Sequence, residues 1–290
     1  MVAKKIELLA VIGPTASGKT ALAINIAKKF DGEIIAADSR TVYKYLDIGT
    51  AKPTRKEQSG IPHWGLDLAG PGQTFTVADF KKYAEDMIED IKNRGKLPIL
   101  VGGSGLYVDA VIYNFKLAPA NPKLRNKLSK LSIEQLQEKI LKAGLAMPDN
   151  RLNKRYLIRA IERADTKIAK KPLANKTTII GLNPFKDVLH DRIKARANLM
   201  LKADVLKEVK KAVELYGWES EAMTGGIYKA FRGVLLGEKS QEQGLADFII
   251  SDLHLAKKQM TWFKRNKDII WFENLDSALD WFDRTFSGKL

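Results

Sequence analysis

The eight residues GPTASGKT at positions 13–20 constrain the fold of this chain more than any other stretch. They follow the apolar run 6–12, which reads as a buried strand, and they lead into a helical pattern over residues 20–30. Glycines in such a loop let backbone N–H groups surround phosphate oxygens, and the helix start adds positive potential. The stretch therefore predicts a phosphate-binding loop of the kind that usually holds a nucleoside triphosphate, with a plain glycine-rich turn as the alternative.

The residues expected around the phosphates are Gly13, Pro14, Thr15, Ala16, Ser17, Gly18, Lys19 and Thr20. Lys19 supplies a positive charge, and the hydroxyl of Thr20 can ligate Mg2+. The loop by itself does not say whether the phosphates belong to a nucleotide or to another diphosphate.

Strands and helices alternate through the first part of the chain. Strands are predicted at 6–12, 33–37 and 97–101, helices at 20–30, 77–94 and 106–113, and mostly loops over 38–76. Thr76 is expected to cap the helix at 77–94. This order predicts an α/β fold with a parallel sheet covered by helices and with sites at the carboxyl ends of the strands. Loops that begin near Gly13, Asp38 and Gly102 should therefore lie close together.

Residues 117–176 differ from what surrounds them, because they are basic, helical and interrupted by prolines. Ser132 and Gln135 form a capping-box pattern that predicts a helix to Lys142. We predict a helical insertion at 117–176 in a core formed by 1–116 and 177–290. In the second part of that core we expect a returning strand at 177–182, helices near 185–215, 226–236 and 241–264, a strand at 269–272 and a closing helix.

Charge is the strongest signal in the composition, with 49 Lys+Arg against 34 Asp+Glu, a net charge of +15. This excess favours a polyanionic partner, although a solvated basic surface or an anionic membrane would also account for it. The chain has no cysteine and three scattered histidines, which excludes disulfides and argues against a histidine metal site. No apolar run is long enough to span a membrane, no signal peptide is recognised, and a cytoplasmic location is expected.

Two further loops carry candidate site residues. ADSRTVY at 37–43 places Asp38 at the end of the second strand, where it can act as a general base, a metal ligand or a helix cap. LVGGSGLY at 100–107 offers the Ser104 hydroxyl, and its glycines either let a ligand approach or simply allow a tight turn.

Basic residues recur on the predicted helices. Arg192 and Arg196 lie four apart, as do Arg155, Arg159 and Arg163, and residues 255–267 mix five basic residues with Trp262 and Phe263. Basic side chains contact phosphates and aromatic rings stack on exposed bases, so these segments are candidates for RNA contact. Solvated surface for the arginines and core packing for the aromatic rings are the alternatives.

These motifs together resemble the tRNA dimethylallyltransferase (tRNA isopentenyltransferase) family of the bacterial type. The resemblance is close in GPTASGKTALAI, in ADSRTVYKYLDIGTAKP and in PILVGGSGLY, and it is looser in RYLIRAIE, HDRI and AKKQMTWF. It implies a P-loop NTPase-like parallel sheet flanked by helices, with an inserted all-helical domain that grips the tRNA anticodon stem-loop. It also implies transfer of a prenyl group from dimethylallyl diphosphate to N6 of adenosine 37, with Mg2+ as cofactor. Nothing in the sequence demands a dimer, and a monomer is expected.

The resemblance assigns roles to residues already singled out. It implies Asp38 as the base for the exocyclic amine, Ser104 in place of the usual threonine near that amine, and Lys19 and Arg192 around the diphosphate. Contacts to tRNA are implied for Asp38, Ser39, Arg40, Thr41, Ser104, Arg125, Arg155, Arg159, Lys257, Lys258, Gln259, Trp262 and Lys264. The segment 223–231 departs from the family pattern, and Lys258 replaces an arginine.

Three other classes of protein share part of this pattern. A small-molecule kinase explains the phosphate loop and Asp38 but leaves the basic helices without a task. A transferase that prenylates free adenine nucleotides needs no surface for tRNA, and a non-enzymatic RNA-binding protein leaves the phosphate loop without a ligand.

Overall fold

The computed structural model describes residues 6–115, 121–163 and 177–286. Its six parallel strands form one sheet in the order β3-β2-β4-β1-β5-β6. The strands are β1 (Leu8–Ile12), β2 (Gly32–Ala36), β3 (His63–Trp64), β4 (Leu97–Gly102), β5 (Thr177–Leu182) and β6 (Ile270–Phe272). The predicted parallel sheet is therefore confirmed.

Helices connect the strands. They are α1 (Lys19–Lys29), α2 (Arg55–Gln58), α3 (Val77–Asn93), α4 (Gly105–Ile112), α5 (Pro122–Ser129), α6 (Ile133–Lys142), α7 (Lys154–Glu162), α8 (Lys186–Lys202), α9 (Val205–Tyr216), α10 (Gly226–Leu235), α11 (Gln241–Phe263) and α12 (Leu275–Phe286). None of the helices in the described ranges is both long and apolar enough to cross a membrane.

Buried strands and capped helices explain why these residues form these elements. All five residues of β1 are buried, because it lies in the middle of the sheet between β4 and β5. Thr76 begins α3 and Ser132 begins α6, each in a capping box with the residue three positions later. Both caps were predicted from the sequence and are confirmed.

The chain divides into two compact units, one formed by Met1–Ile112 with Leu173–Leu290 and the other by Tyr113–Pro172. The boundaries predicted from the sequence, at 116/117 and 176/177, fall in or beside segments outside the described residues. The described part of the smaller unit contains α5, α6 and α7, whose buried residues Leu128, Leu136, Ile140, Leu157 and Ile158 form a core of their own.

One prediction about the larger unit is wrong. The single helix expected near 185–215 is two helices, because Asp204 adopts a left-handed conformation (φ 61°) between α8 and α9. The turn lets buried residues of both helices, such as Ala197 and Val209, enter the same core cluster. Residues 38–76 are mostly loops, as predicted, and also contain the short helix α2 and the strand β3, whose two residues are too few to show a strand pattern.

Candidate active site

The phosphate loop lies between β1 and α1, at the carboxyl edge of the sheet. A side chain on Gly13 would meet the carbonyl oxygen of Leu182 at 2.6 Å, so glycine is needed where the loop leaves the sheet. Gly18 precedes α1 and gives it no side-chain cap, which leaves the first N–H groups of the helix for an anion. The Nζ of Lys19 donates to the carbonyl oxygen of Pro14 at 3.1 Å and thereby lies over the loop.

Side chains of α8 and α11 form hydrogen bonds to the backbone of the phosphate loop. The backbone N–H of Thr15 donates to Oε1 of Gln259 on α11 at 2.8 Å. Nη1 of Arg192 on α8 donates to the carbonyl oxygen of Ser17 at 3.2 Å. Arg192 therefore lies beside the loop, as its expected role at the diphosphate requires. Gln259, which the resemblance linked to tRNA, also supports the phosphate loop.

The second and third loops meet at Ser104. The backbone N–H of Ser39 donates to Oγ of Ser104 at 3.1 Å, which joins the end of β2 to the turn after β4. Oδ1 of Asp38 accepts the N–H of Arg40 at 2.7 Å, an interaction that fixes the carboxylate locally. Nη1 of Arg40 donates to the carbonyl oxygen of Glu221 at 2.6 Å, and the Thr41 side chain is buried.

One cavity of about 280 Å3 joins the three loops. Lys19 from the phosphate loop, Asp38 from the end of β2 and Gly102 from the end of β4 all line it. The prediction that the three loops lie together is therefore confirmed. The wall continues over polar and apolar residues, among them Thr15, Thr20, Arg40, Thr41, Ile34, Ala51, Pro53, Leu66, Val101, Arg196, Asp252 and Gln259.

The electrostatics of the cavity centre on Lys19. Burial of its ammonium lowers the pKa of Lys19 to about 8, the Asp38 carboxylate opposes this shift, and Arg196 adds to it. Arg196 forms an ion pair with Asp252 of α11, and burial raises the pKa of Asp252 while Arg196 works against that rise. An anion in the cavity would therefore meet a partly desolvated lysine close to Arg196, whose own charge is paired with Asp252.

The two glycines at the end of β4, Gly102 and Gly103, allow neighbouring segments to pack closely. A side chain on Gly102 would collide with the carbonyl oxygen of Ala37, and one on Gly103 would meet Nε2 of Gln259 at 2.5 Å. This favours the tight-turn interpretation over ligand approach at both positions. The glycines let the ends of β2 and β4, and α11 beyond them, come close enough to form the site.

The aromatic residues of 255–267 pack inward. Phe263 is buried, and the indole of Trp262 lies against Gly105 while its Nε1 donates to Asp109 at 2.9 Å. The guanidinium of Arg265 lies over the Trp262 ring, 4.4 Å from its centroid. Core packing is therefore the better interpretation for these two rings, whereas the basic side chains of the same segment, Lys257, Lys258 and Lys264, are exposed.

Within the smaller unit, two of the predicted arginines share a partner. Arg125 pairs with Glu162 through Nε and Nη2 at 2.9 and 2.8 Å, and Nη1 of Arg159 reaches the same carboxylate at 3.1 Å. Arg155 lies near the start of α7 and is exposed. Glu162 thus holds two of the three predicted arginines, Arg125 and Arg159, in place.

Sequence reasoning missed Asp252 as a residue of the cavity wall. Its position carries a signal, because Phe248, Asp252 and Ala256 are four residues apart and all buried on α11. A carboxylate within an otherwise apolar stripe needs a cationic partner, and Arg196 is that partner.

The residues present fit a magnesium ion that is held mainly by phosphate oxygens. In the described residues no group of three or more His, Asp or Glu side chains could hold a metal. Thr20 nevertheless lines the cavity at the start of α1. Magnesium bound to a phosphorylated substrate keeps several waters and takes only one or two protein ligands.

The fold and the loop define an α/β protein of the P-loop class. A family model described as IPP transferase matches residues 41–266. The chain therefore belongs to the IPP transferase family, as the resemblance of its motifs implied.

Similar proteins cover nearly all of the chain. A tRNA dimethylallyltransferase of Acetivibrio thermocellus is 39% identical, with 91% of each chain covered, and one of Staphylococcus aureus is 37% identical, with 94% of each covered. The solved structure of a full-length tRNA isopentenylpyrophosphate transferase from Bacillus halodurans has a TM-score of 0.75 and 33% sequence identity. It covers 97% of this chain and 96% of its own.

Proposed function

We propose that this protein transfers a dimethylallyl group from dimethylallyl diphosphate to N6 of adenosine 37, next to the tRNA anticodon. The products are N6-isopentenyladenosine in the tRNA and diphosphate. One observation carries the proposal: Asp38, Lys19 and the turn that holds Ser104 meet at a single cavity. This arrangement supports a reaction in which a base, a diphosphate site and a hydroxyl act together.

In the reaction, the lone pair of N6 forms a bond to C1 of the prenyl group while the bond between C1 and the diphosphate oxygen breaks. Asp38 accepts the proton that N6 loses, since an exocyclic amine is a poor nucleophile and gains from a positioned base. Ser104 holds the loop of Asp38 by accepting the N–H of Ser39. In this proposal its hydroxyl also contacts the same amine.

The departing diphosphate gains negative charge as the bond breaks. Lys19 and Arg192 stabilise that charge, together with the N–H groups at the start of α1. Thr20 would hold a magnesium ion, which would supply further neutralisation of the leaving diphosphate. The bound phosphates are those of the prenyl donor, and in this proposal the loop has no need of ATP.

The tRNA is held by basic side chains outside the cavity. Asp38, Ser39, Arg40 and Thr41 read an adenine that must leave its stack to reach the donor. Exposed Lys257, Lys258 and Lys264 contact the backbone, and Gln259 and Trp262 contribute by positioning the loops near it. In the smaller unit, Arg125, Arg155 and Arg159 grip the anticodon stem-loop. The enzyme acts as a monomer in the cytoplasm, where its tRNA substrate is found.

The test is incubation of the purified protein with labelled dimethylallyl diphosphate and either unmodified tRNA or AMP. We expect label in tRNA, at adenosine 37, and none in AMP. Asp38→Ala should abolish transfer and largely preserve tRNA binding. Asp86→Ala, at an exposed carboxylate of α3, is the matched control and should keep full activity.

The rival functions give different results in the same experiment. Label in AMP alone would indicate a transferase acting on free nucleotides. Consumption of ATP with no prenyl transfer would indicate a kinase. Unchanged turnover in Asp38→Ala would remove Asp38 as the base.

A further inference from the structure

Both oxygens of the Glu208 carboxylate, on α9, are occupied by donors from other segments. Oε2 accepts the N–H groups of Asp47 and Ile48 at 2.8 and 2.7 Å. Oε1 accepts the N–H of Gly49 at 2.8 Å and the hydroxyl of Tyr228 at 2.9 Å. Hydrogen bonds to an ionised acceptor are stronger than neutral ones, so three consecutive N–H groups on one carboxylate fix the backbone of that turn.

The turn at 47–53 has no regular secondary structure to hold it. Within it, the N–H of Ala51 donates to the carbonyl oxygen of Ile48 at 3.0 Å and the N–H of Lys52 to that of Asp47 at 2.9 Å, while Nζ of Lys52 binds both Asp47 and Asp67. Ala51 adopts a left-handed conformation with φ 52°, which is unfavourable for a residue with a side chain. The contacts from Glu208 add to these and hold the Asp47–Gly49 backbone, which the internal hydrogen bonds reach only through the carbonyl oxygens of Asp47 and Ile48.

Gly49 lies directly on α10. A side chain at this position would meet the hydroxyl oxygen of Tyr228 at 2.8 Å and Cγ2 of Ile227 at 2.7 Å. The same hydroxyl donates to Glu208. Glu208, Gly49 and Tyr228 therefore form one packed arrangement that presses the turn against the helix.

The turn is part of the wall of the cavity. Gly49, Thr50, Ala51 and Pro53 line the cavity, and so does Tyr228, whereas Glu208 lies behind them and does not. Apolar residues of the sheet, Ile34 and Val101, line the same cavity. The hydrocarbon part of a prenyl diphosphate needs an apolar wall of this kind, since the diphosphate occupies the loop at 13–20.

We propose that Glu208 is a positioning residue that holds the 47–53 turn and thereby sets the fit of the cavity to the donor's hydrocarbon chain. This inference rests on the proposed function. A fixed wall favours the five-carbon chain over longer ones, because a longer chain needs the turn to move outward. Glu208 itself touches neither the donor nor the tRNA.

The test compares Glu208→Gln with wild type in the full-length protein. Glutamine has the same shape, but one acceptor oxygen becomes an NH2 donor that faces backbone donors. Glu214→Gln is the matched control, since Glu214 lies on the same helix and is exposed. A second variant, Gly49→Ala, pushes the turn away from Tyr228 by an independent route.

For Glu208→Gln and Gly49→Ala we expect the KM for dimethylallyl diphosphate to rise about tenfold, with kcat changed less than threefold. The preference for dimethylallyl over geranyl diphosphate should fall by a similar factor, and hydrogen exchange at 47–49 should accelerate. Glu214→Gln should match wild type. Assays are run well below the Tm of each variant, so that a loss of folded protein does not lower the apparent kcat.

Three results overturn the inference: an unchanged KM and chain-length preference in Glu208→Gln, an equal loss of kcat with no change in KM, or unchanged exchange at 47–49. Failure of the wild type to transfer the dimethylallyl group is a different result. It contradicts the proposed function, whereas wild-type transfer with a silent Glu208→Gln contradicts only the role of Glu208.

Discussion

Oε1 of Gln259 accepts the backbone N–H of Thr15 at 2.8 Å, across 244 positions of the chain. The phosphate loop is thereby fastened to α11, whose outer face carries Lys257 and Lys258. Nη1 of Arg192 makes a comparable contact from α8 to the carbonyl oxygen of Ser17. The loop that is expected to hold the donor and the helix that is expected to contact tRNA are joined by one hydrogen bond.

Two substitutions of Gln259 should distinguish the effect of its hydrogen bond to the phosphate loop from the effect of a negative charge at the same position. In Gln259→Met the N–H of Thr15 loses its partner, and we expect a cost of about 1–3 kcal/mol in unfolding free energy together with weaker donor binding. Gln259→Glu keeps an acceptor and should retain most of the stability, yet its negative charge should raise the Kd for dimethylallyl diphosphate. Thermal unfolding and calorimetric titration give the two quantities. Donor binding in Gln259→Glu that equals wild type would contradict this expectation.

The affinity for the donor should fall as pH rises through about 8. The pKa of Lys19 is lowered to about 8 by burial, so the free protein loses this positive charge above that pH. Bound diphosphate favours the charged form, and binding above pH 8 should therefore be accompanied by proton uptake. The measurement is calorimetry with dimethylallyl diphosphate in buffers of different ionisation enthalpy.

Lys19→Arg serves as the control for that profile. An arginine keeps its charge throughout this pH range. The affinity of the variant for dimethylallyl diphosphate should therefore not decrease near pH 8, even if it is lower overall. The same fall in both proteins would assign it to another group.

The exposed lysines of α11 should contribute to tRNA binding through phosphate charge. For Lys258→Ala we expect weaker binding of every tRNA tested and a salt slope that is smaller in magnitude by about 1. Lys258→Arg should restore most of the affinity. Lys92→Ala, at the end of α3 and remote from the carboxyl edge of the sheet, is the control and should bind as wild type. Filter binding at several salt concentrations measures the slope, and an unchanged slope in Lys258→Ala would place Lys258 outside the tRNA interface.

Stability should depend on Glu33 between about pH 5 and pH 2. Hydrogen bonds from Arg94 and Trp64 lower the pKa of this buried carboxyl to about 2, against an ordinary value of 4.5. A carboxyl with a depressed pKa stabilises the fold above its unfolded pKa and loses that contribution as pH falls towards the folded one. The shift corresponds to about 3 kcal/mol.

The check on Glu33 is the urea unfolding of wild type and Glu33→Gln at several pH values. The difference in unfolding free energy should be largest near neutral pH and should shrink towards pH 2. Glu89→Gln, an exposed residue of α3, should leave the profile unchanged. A difference between wild type and Glu33→Gln that does not vary with pH would contradict the assignment.

Predictions from the sequence succeeded where a local pattern has one physical solution. The apolar run before GPTASGKT has no stable place other than a buried strand, and the capping boxes at Thr76 and Ser132 fix where α3 and α6 begin. The meeting of the loops at Gly13, Asp38 and Gly102 followed from the rule that parallel strands end at the same edge of a sheet.

Predictions failed where the outcome depends on distant residues. The break at Asp204 has no proline or glycine to mark it, and it arises because both α8 and α9 must bury a face in the same core. Arg196 pairs with Asp252, which is 56 positions away in the sequence. Glu208 binds the backbone of residues 47–49, which is more than 150 positions away. No periodicity within either segment specifies such partners.

The position of β1 in the sheet has a consequence for how the protein is made. Leu9 pairs with Ile99 on one side and with Thr178 on the other, so both partner strands leave the ribosome long after β1 does. Closing contacts between such distant parts of a chain is slow, and an unpaired apolar strand is prone to aggregate in the meantime. The unit at Tyr113–Pro172 is synthesised before β5 and has a core of its own. During translation this unit can fold first, and the phosphate loop acquires its final shape only when the chain returns to the sheet.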